Sequence, residues 1–255
     1  MAHGQMALFG DAEGVDPVPL DDAVRSLASR LPARIRLGTS SWSFPGWTGL
    51  VYAPHGRKPA SEQVLARHGL AAYAACPLFR TVSLDRTFYA PLTAAEFAGY
   101  ASQVPDDFRF VVKAPAAFTD PVVRQSGSGQ AARDNRSFLD AAAATATFVG
   151  PALEGLGAKA GPLVFQFPPV GRRLLADASR LTSRIASFMA TLPRGPLYAV
   201  EVRDEQLACG EFVTAVRHSG AVPCLAIHAR MPQVAMQAAA LGLDAADVRT
   251  LTCPP

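Results

Sequence analysis

Six short apolar segments recur along the chain, and segments with helical periodicity separate them. The first apolar segment begins at Ile35, and the others span 80–89, 108–115, 162–169, 197–204 and 222–229. Between them, apolar residues recur every three or four positions, which is the spacing of an amphipathic helix. Strands that alternate with helices form βα units and build a parallel sheet. The pattern therefore predicts an α/β fold.

The residues before the first strand predict a separate lead-in. Residues 1–19 are rich in Gly, Asp and Pro and have no sustained period. Residues 20–31 predict a short helix, because Asp21 and Asp22 stand at its first turn and Pro32 follows its end. We therefore expect a lead-in over 1–33 and a single TIM-barrel-like domain over 34–255.

Two glycine-rich nucleotide motifs are absent from this sequence. No GxGxxG follows the first strand, and no GxxxxGK[ST] occurs anywhere in the 255 residues. A parallel (β/α) barrel of the TIM type, which commonly has this length, fits the pattern better than a dinucleotide-binding or P-loop fold. Only six strands are predicted, so we expect an incomplete barrel with about six of eight strands. Its two open sheet edges would favour self-association.

Each predicted strand carries a polar residue near its carboxyl end, on the face opposite the apolar residues that pack under the helices. Because barrel active sites lie at that end, these residues form a candidate site. They are Ser40, Asp85, Lys113, Gln166, Glu201, Arg203 and His228. Strand parity places Arg86 on the helix-facing side, which excludes it from this set.

The predicted site has a catalytic and a ligand-binding part. Glu201 is the candidate general acid or base, and Lys113 and Arg203 would hold anionic charge. Asp85 is a second acid–base candidate. The ligand-binding candidates are Ser40, Trp42, Trp47, Tyr89, Gln166 and His228.

Two other interpretations of the same residues remain open. The polar ring could be a satisfied hydrogen-bond network with no chemistry, because buried charges pair with one another. Asp85, Glu201 and His228 could instead ligate a divalent metal, but the neighbouring Lys113 and Arg203 would repel the ion. We therefore predict no metal, and the sequence indicates no particular cofactor.

Bulk properties limit the possible partners. A net charge of +3 gives little support for nucleic-acid binding, and no apolar run reaches the length of a membrane span. The amino terminus lacks the pattern of a secretory signal. The four cysteines are widely scattered, as in a cytoplasmic protein with reduced thiols.

Several segments of the chain resemble the YecE-like family, a domain of unknown function with a TIM-barrel fold. They read GTSSWSFPGWTGLVYAP, TVSLDRTFY, DDFRFVVKAP, GPLVFQFPP and YAVEVRD, in the family's order, between Ile35 and Ala229. The resemblance implies a barrel with a pocket at the strand ends and no established reaction. The chain departs from the family pattern at Ser83 and Asp85, at residues 204–206, and in lacking two further strands.

Three functions follow from these features. The first is an enzyme that acts on a small polar or sugar-like ligand at the carboxyl ends of the strands. The second is a non-catalytic module that binds a nucleotide or nucleic acid, with added charge from Arg172, Arg173, Arg180 and Arg184. The third is an inactive, truncated member of the family.

Overall fold

The computed structural model describes residues 14–54, 59–123 and 133–242. The strands in these ranges are β1 Leu37–Thr39, β2 Phe79–Leu84, β3 Arg109–Lys113, β4 Val122–Val123, β5 Arg133–Asp134, β6 Ala160–Phe167, β7 Tyr198–Val202 and β8 Val222–Pro223. The α-helices are α1 Asp22–Arg30, α2 Glu62–His68, α3 Leu70–Ala74, α4 Ala94–Ala101, α5 Ala116–Thr119, α6 Ala141–Ala144, α7 Gly150–Leu156, α8 Arg172–Leu175, α9 Ala178–Thr191, α10 Gly210–His218 and α11 Val234–Ala240. A π-helical segment, Thr145–Val149, joins α6 to α7. Short 3₁₀ turns lie at Pro45–Trp47, Asp85–Phe88, Gly157–Lys159 and Glu205–Leu207.

The main sheet has six parallel strands in the order β1-β2-β3-β6-β7-β8. Strands β4 and β5 form a separate antiparallel ribbon. Among the residues that the structure describes, β1 and β8 do not pair, so the sheet is not closed. An α/β fold with a six-stranded parallel sheet and flanking helices is confirmed, as is its likeness to an incomplete TIM barrel.

One face of the sheet carries the core, as strand parity predicts. Val82, Phe110 and Phe165 point to this face and are fully buried against the helices. The opposite face carries the intervening residues, such as Ser83 and Gln166, which remain partly exposed. The apolar stripe thus packs the helices and leaves the polar stripe available to a ligand.

Helix-start signals in the sequence correspond to observed caps. Asp21 accepts from the backbone N–H of Ala23 at 2.9 Å at the start of α1. Before α4, Thr93 and Glu96 form a reciprocal capping box. Each cap satisfies backbone donors that the first helical turn leaves without an intrahelical acceptor.

Strand β2 ends earlier than the predicted 80–89. It stops at Leu84, and Asp85–Phe88 turns away as a 3₁₀ segment. The hydroxyl of Thr87 lies against the carbonyl oxygens of both Leu84 and Lys113. These contacts hold the chain in the turn and prevent the strand from continuing.

The predicted sixth strand, 222–229, was also too long. Only Val222 and Pro223 are in strand β8. The side chain of Gln237 on α11 instead bonds both backbone groups of Ala226, at 3.0 Å to its N–H and 2.8 Å to its carbonyl oxygen. The backbone of residue 226 is therefore satisfied by a helix side chain rather than by β7.

The segment 116–135, between β3 and α6, contains local structure. It includes the one-turn helix α5 and the ribbon strands β4 and β5. The SGSGQ segment at residues 126–130 lies outside the described residues.

Candidate functional site

The carboxyl ends of β2 and β3 hold the first of two charged pairs. The ammonium of Lys113 lies 3.0 Å from Oδ2 of Asp85. The hydroxyl of Ser83 donates to the other carboxylate oxygen of Asp85. The Phe88 ring centroid lies 5.9 Å from Nζ of Lys113, within cation–π range. The pair is thus held by residues of two strands and one turn.

The second pair lies at the carboxyl ends of β6 and β7. Gln166 and Glu201 are register partners, and the Gln166 amide donates to Oε1 of Glu201 at 2.9 Å. Nε of Arg203 donates to the same oxygen at 2.6 Å. The side chains of Glu201 and Arg203 are 17% and 26% exposed, so this ion pair is only partly screened by water.

Both pairs occupy the same face of the sheet. Strands β3 and β6 are adjacent, and Lys113 is the register partner of Val164, two residues before Gln166. The Glu201–Arg203 pair lies at the end of β7, one strand beyond β6, so about two strand spacings, or roughly 10 Å, separate it from Lys113. The four predicted catalytic residues are thereby brought together as two carboxylate–cation pairs.

A pocket of 280 Å³ opens beside the first pair. Three predicted site residues, Ser40, Trp42 and Asp85, line it. Its wall also includes Ser41, Ser43, Ala66, Arg67, Ser83, Leu84, Arg86 and Tyr100. The pocket thus combines hydroxyl groups, one carboxylate, two guanidinium groups and two aromatic rings.

The polar wall of the pocket is cross-linked by side chains of different elements. Nη1 of Arg86 donates to the Tyr100 hydroxyl at 2.8 Å, and Nη2 lies 3.6 Å from Glu96. The Trp42 ring meets the Tyr100 ring edge-on, with centroids 5.4 Å apart. Nε1 of Trp42 donates to the carbonyl oxygen of Ala66 at 3.3 Å. The tryptophan is therefore a fixed, buried part of the wall.

Among the wall residues that sequence reasoning missed are both arginines, Arg67 and Arg86, and the aromatic residue Tyr100. The exclusion of Arg86 was wrong, because the parity rule assumed that β2 continues past Leu84. In the 3₁₀ turn that replaces the strand, Arg86 reaches the pocket. Arg67 and Tyr100 lie on α2 and α4, where an exposed charge and an apolar ring are ordinary helix features. No local pattern distinguishes these two.

The structure does not bring Trp47 or Tyr89 to the two charged pairs or the pocket lining. The Trp47 ring packs at 6.1 and 6.5 Å from the rings of Tyr73 and Phe79, the first residue of β2. A ligand-binding role for Trp47 therefore stays a prediction that these contacts do not support. Tyr89 is 86% exposed and contacts only the Phe88 ring among the described aromatic residues.

His228 is also outside the observed constellation. It is exposed, and its Nδ1 accepts from the backbone N–H of Arg230 at 3.2 Å. Strand β8 ends at Pro223, before His228. The alternation of side chains along a strand therefore does not place His228 on the face of the other polar residues. Within the described ranges, no group of three or more His, Cys, Asp or Glu could hold a metal ion.

Two buried tyrosines hold the end of β1 in place. The Tyr73 hydroxyl accepts from the backbone N–H of Thr39 at 3.1 Å and donates to the Thr81 carbonyl at 3.2 Å. The Tyr52 hydroxyl donates to the Trp42 carbonyl. Burial raises the pKa of both phenols, so each remains a neutral donor.

Comparison with known proteins identifies the family. A family model described as "Protein of unknown function DUF72" matches residues 36–252. The chain belongs to the DUF72 family. This confirms the resemblance to YecE-like proteins and assigns no reaction.

A solved DUF72 structure shares the fold. A DUF72 family protein from Thermotoga maritima matches with a TM-score of 0.50 at 21% identity, over 76% of this chain and 65% of that one. One from Enterococcus faecalis gives a TM-score of 0.47 at 18% identity, over 74% of this chain and 60% of that one. The chain thus spans less than two thirds of the length of these structures. No curated protein matches it. In the part of the chain that the structure describes, no helix has the length and apolarity needed to cross a bilayer.

Proposed function

We propose that this protein binds a small polar, sugar-like ligand at the carboxyl ends of its strands and acts on it by acid–base chemistry. The observation that carries the proposal is the pair of carboxylate–cation contacts, Asp85–Lys113 and Glu201–Arg203, which lie on one face of the sheet with β6 between their strands. Hydroxyl-rich ligands need clustered donors and acceptors, and such a cluster lies at the end of the sheet where barrel enzymes react.

Each side chain has a role in this proposal. Glu201 is the acid or base, because its carboxylate is oriented by donors from Gln166 and Arg203. Lys113 and Arg203 stabilise negative charge that develops on the ligand. Asp85 lines the 280 Å³ pocket and is the second acid–base group.

In the alternative function, four arginines would bind nucleic acid, and two of them contact other residues of this chain. Arg173 lies 3.1 Å from the carboxylate of Asp134. The Arg184 guanidinium lies 5.5 Å from the Phe138 ring centroid. The Asp134 carboxylate offsets the charge that Arg173 would offer to a polyanion, so we favour the small-ligand function.

The test is a ligand screen followed by a turnover assay. Monosaccharides, sugar acids and sugar phosphates are screened by thermal shift, and each hit is incubated with protein and analysed by mass spectrometry. We expect Glu201→Gln to retain ligand binding and to lose turnover by about a hundredfold or more. Glu154→Gln, which makes the same change on the exposed surface of α7, should leave both unchanged.

Three results would contradict the proposal. Turnover that persists in Glu201→Gln would remove that residue from the chemistry. Binding without turnover in the unsubstituted protein would favour a non-catalytic or inactive member of the family. Binding only to oligonucleotides, with a steep dependence on salt, would favour the nucleic-acid function.

A further inference from the structure

Three arginines gather at the amino-terminal end of the sheet, opposite the candidate site. Arg36 directly precedes β1, Arg80 is the second residue of β2, and Arg109 is the first residue of β3. Because these strands are parallel neighbours, all three side chains lie at the amino-terminal end of the strands. All three are partly buried.

The three guanidinium groups converge on one short turn. Nη1 of Arg109 donates to the carbonyl oxygens of Asp106 and Phe108, each at 2.8 Å. Arg36 donates to the carbonyl oxygen of Asp107. Nε of Arg80 lies 3.3 Å from the Asp107 carboxylate. Three successive residues span only about 7 Å, so the positive charges are close together.

Negative charge at this turn does not match the positive charge. The Asp107 carboxylate contacts Arg80, whereas Arg36 and Arg109 donate to backbone carbonyl oxygens, and the Asp107 side chain is 63% exposed. The neighbouring Asp106 lies 3.4 Å from the ammonium of Lys159 and is thereby paired with a different cation. Burial lowers the pKa of Arg36, and the charges of Arg80 and Arg109 lower it further. The cluster thus has an excess of positive charge.

An open recess of 650 Å³ adjoins this cluster. Arg80 and Asp107 belong to both, and helix α1 adds Arg25 and Ser29 to the polar wall. Phe79, Phe108, Pro77 and Pro105 form an apolar part of the lining. The recess has space for an organic group attached to an anion that the arginines hold.

We propose that this recess binds a small molecule that carries a phosphate group. Guanidinium groups present planar, paired donors that match phosphate oxygens. Each guanidinium has five N–H donors, and the observed contacts use only part of them. The apolar lining contacts the organic part of the ligand. This site is independent of the proposed function at the opposite end of the strands.

The test is isothermal titration calorimetry on the full chain, at constant ionic strength and with chloride as the reference anion. The probes are inorganic phosphate and phenyl phosphate. We expect both to bind with dissociation constants below about 10 mM, and phenyl phosphate to bind more tightly because its ring contacts the recess. Arg80→Gln should weaken binding at least about tenfold.

Two further variants separate binding from a purely structural role. Asp107→Asn removes the carboxylate that competes with the ligand, so phosphate should bind several-fold more tightly. A role limited to holding the 106–108 turn predicts no such gain. Arg136→Gln, an exposed arginine between β5 and α6, makes the same charge change elsewhere and should leave the affinity unchanged. If Arg80→Gln does not fold, Arg36→Gln replaces it.

The proposal is overturned by any of three results. The first is that neither phosphate probe binds with a dissociation constant below about 10 mM. Asp107→Asn fails to tighten binding. Arg136→Gln weakens binding as much as Arg80→Gln, which would indicate a general effect of net charge.

Discussion

The contact between helices α4 and α7 depends on the absence of a side chain at Gly155. A Cβ atom placed there would lie 2.2 Å from the carbonyl oxygen of Ala94 and 2.5 Å from Cβ of Phe97. Ordinary contacts of this kind are about 3.5 Å long. Gly155→Ala would therefore force the helices apart by roughly 1 Å.

The expected cost follows from what the two helices bury. Phe97 is fully buried, and Ala152 and Leu156 of α7 are nearly so. Inserting a methyl group into a packed contact costs about 1–3 kcal/mol, and backbone atoms cannot move aside as a flexible side chain can. The better helix propensity of alanine offsets about 1 kcal/mol. Because the contacts at Gly155 are mainly with backbone atoms, the upper end of that range applies, and we expect a net loss of about 2 kcal/mol, which lowers the unfolding midpoint by roughly 5 °C.

A matched control is available on α4, the helix that α7 contacts. Gly99 lies on the exposed side of α4, and nothing lies within 4 Å of a Cβ atom at that position. Gly99→Ala should therefore raise the free energy of unfolding by about 0.5–1 kcal/mol. Urea unfolding followed by circular dichroism at 222 nm measures both variants. If Gly155→Ala is as stable as Gly99→Ala, the close approach of α4 and α7 is refuted.

Three further predictions concern the site, the core and the sheet edge. A double-mutant cycle with Glu201→Gln and Arg203→Gln should give a coupling energy of about 1–2 kcal/mol in urea unfolding, because the pair is only partly exposed. Burial raises the pKa of Tyr198 to about 12, so its neutral form stabilises the fold below pH 10, and this contribution is lost as the pH rises to 12. Tyr198→Phe should therefore reduce the slope of stability against pH in that window. Leu37, 43% exposed on edge strand β1, should support concentration-dependent self-association that Leu37→Lys abolishes in sedimentation velocity.

Each of these three predictions has an outcome that would contradict it. Additive effects of Glu201→Gln and Arg203→Gln would show that the ion pair contributes no net stability. An unchanged alkaline slope in Tyr198→Phe would place the titrating phenols elsewhere. A monomer at every concentration would show that the open edge does not pair.

Local patterns in the sequence were sufficient to predict the strands of the main sheet and the face that each strand buries. Apolar residues at alternate positions, as in residues 108–115, indicate both a strand and the face that it buries. Phe110 and Val112 are accordingly buried, whereas Lys113 is partly exposed on the other face. These features depend on neighbours along the chain, so they can be predicted without a structure.

The ends of the strands could not be predicted in the same way. Strand β2 stops at Leu84 because the Thr87 hydroxyl contacts the carbonyl of Lys113, and β8 stops because Gln237 bonds Ala226. Both partners lie 11 or more residues away in the chain. The predicted β2 runs five residues beyond its observed end, and this error hid the fact that Arg86 reaches the pocket.

The sequence by itself determined the family, the alternation of strands and helices, and the polar residues at the carboxyl ends of β2, β3, β6 and β7. Only the tertiary structure decided how those residues pair, as in Glu201 with Arg203 and Gln166, and which helix side chains complete the pocket. It alone also brings Arg36, Arg80 and Arg109 to one turn. The physical reason is that periodicity is a local property of the chain, whereas charge partners and pocket walls come from segments that only folding brings together.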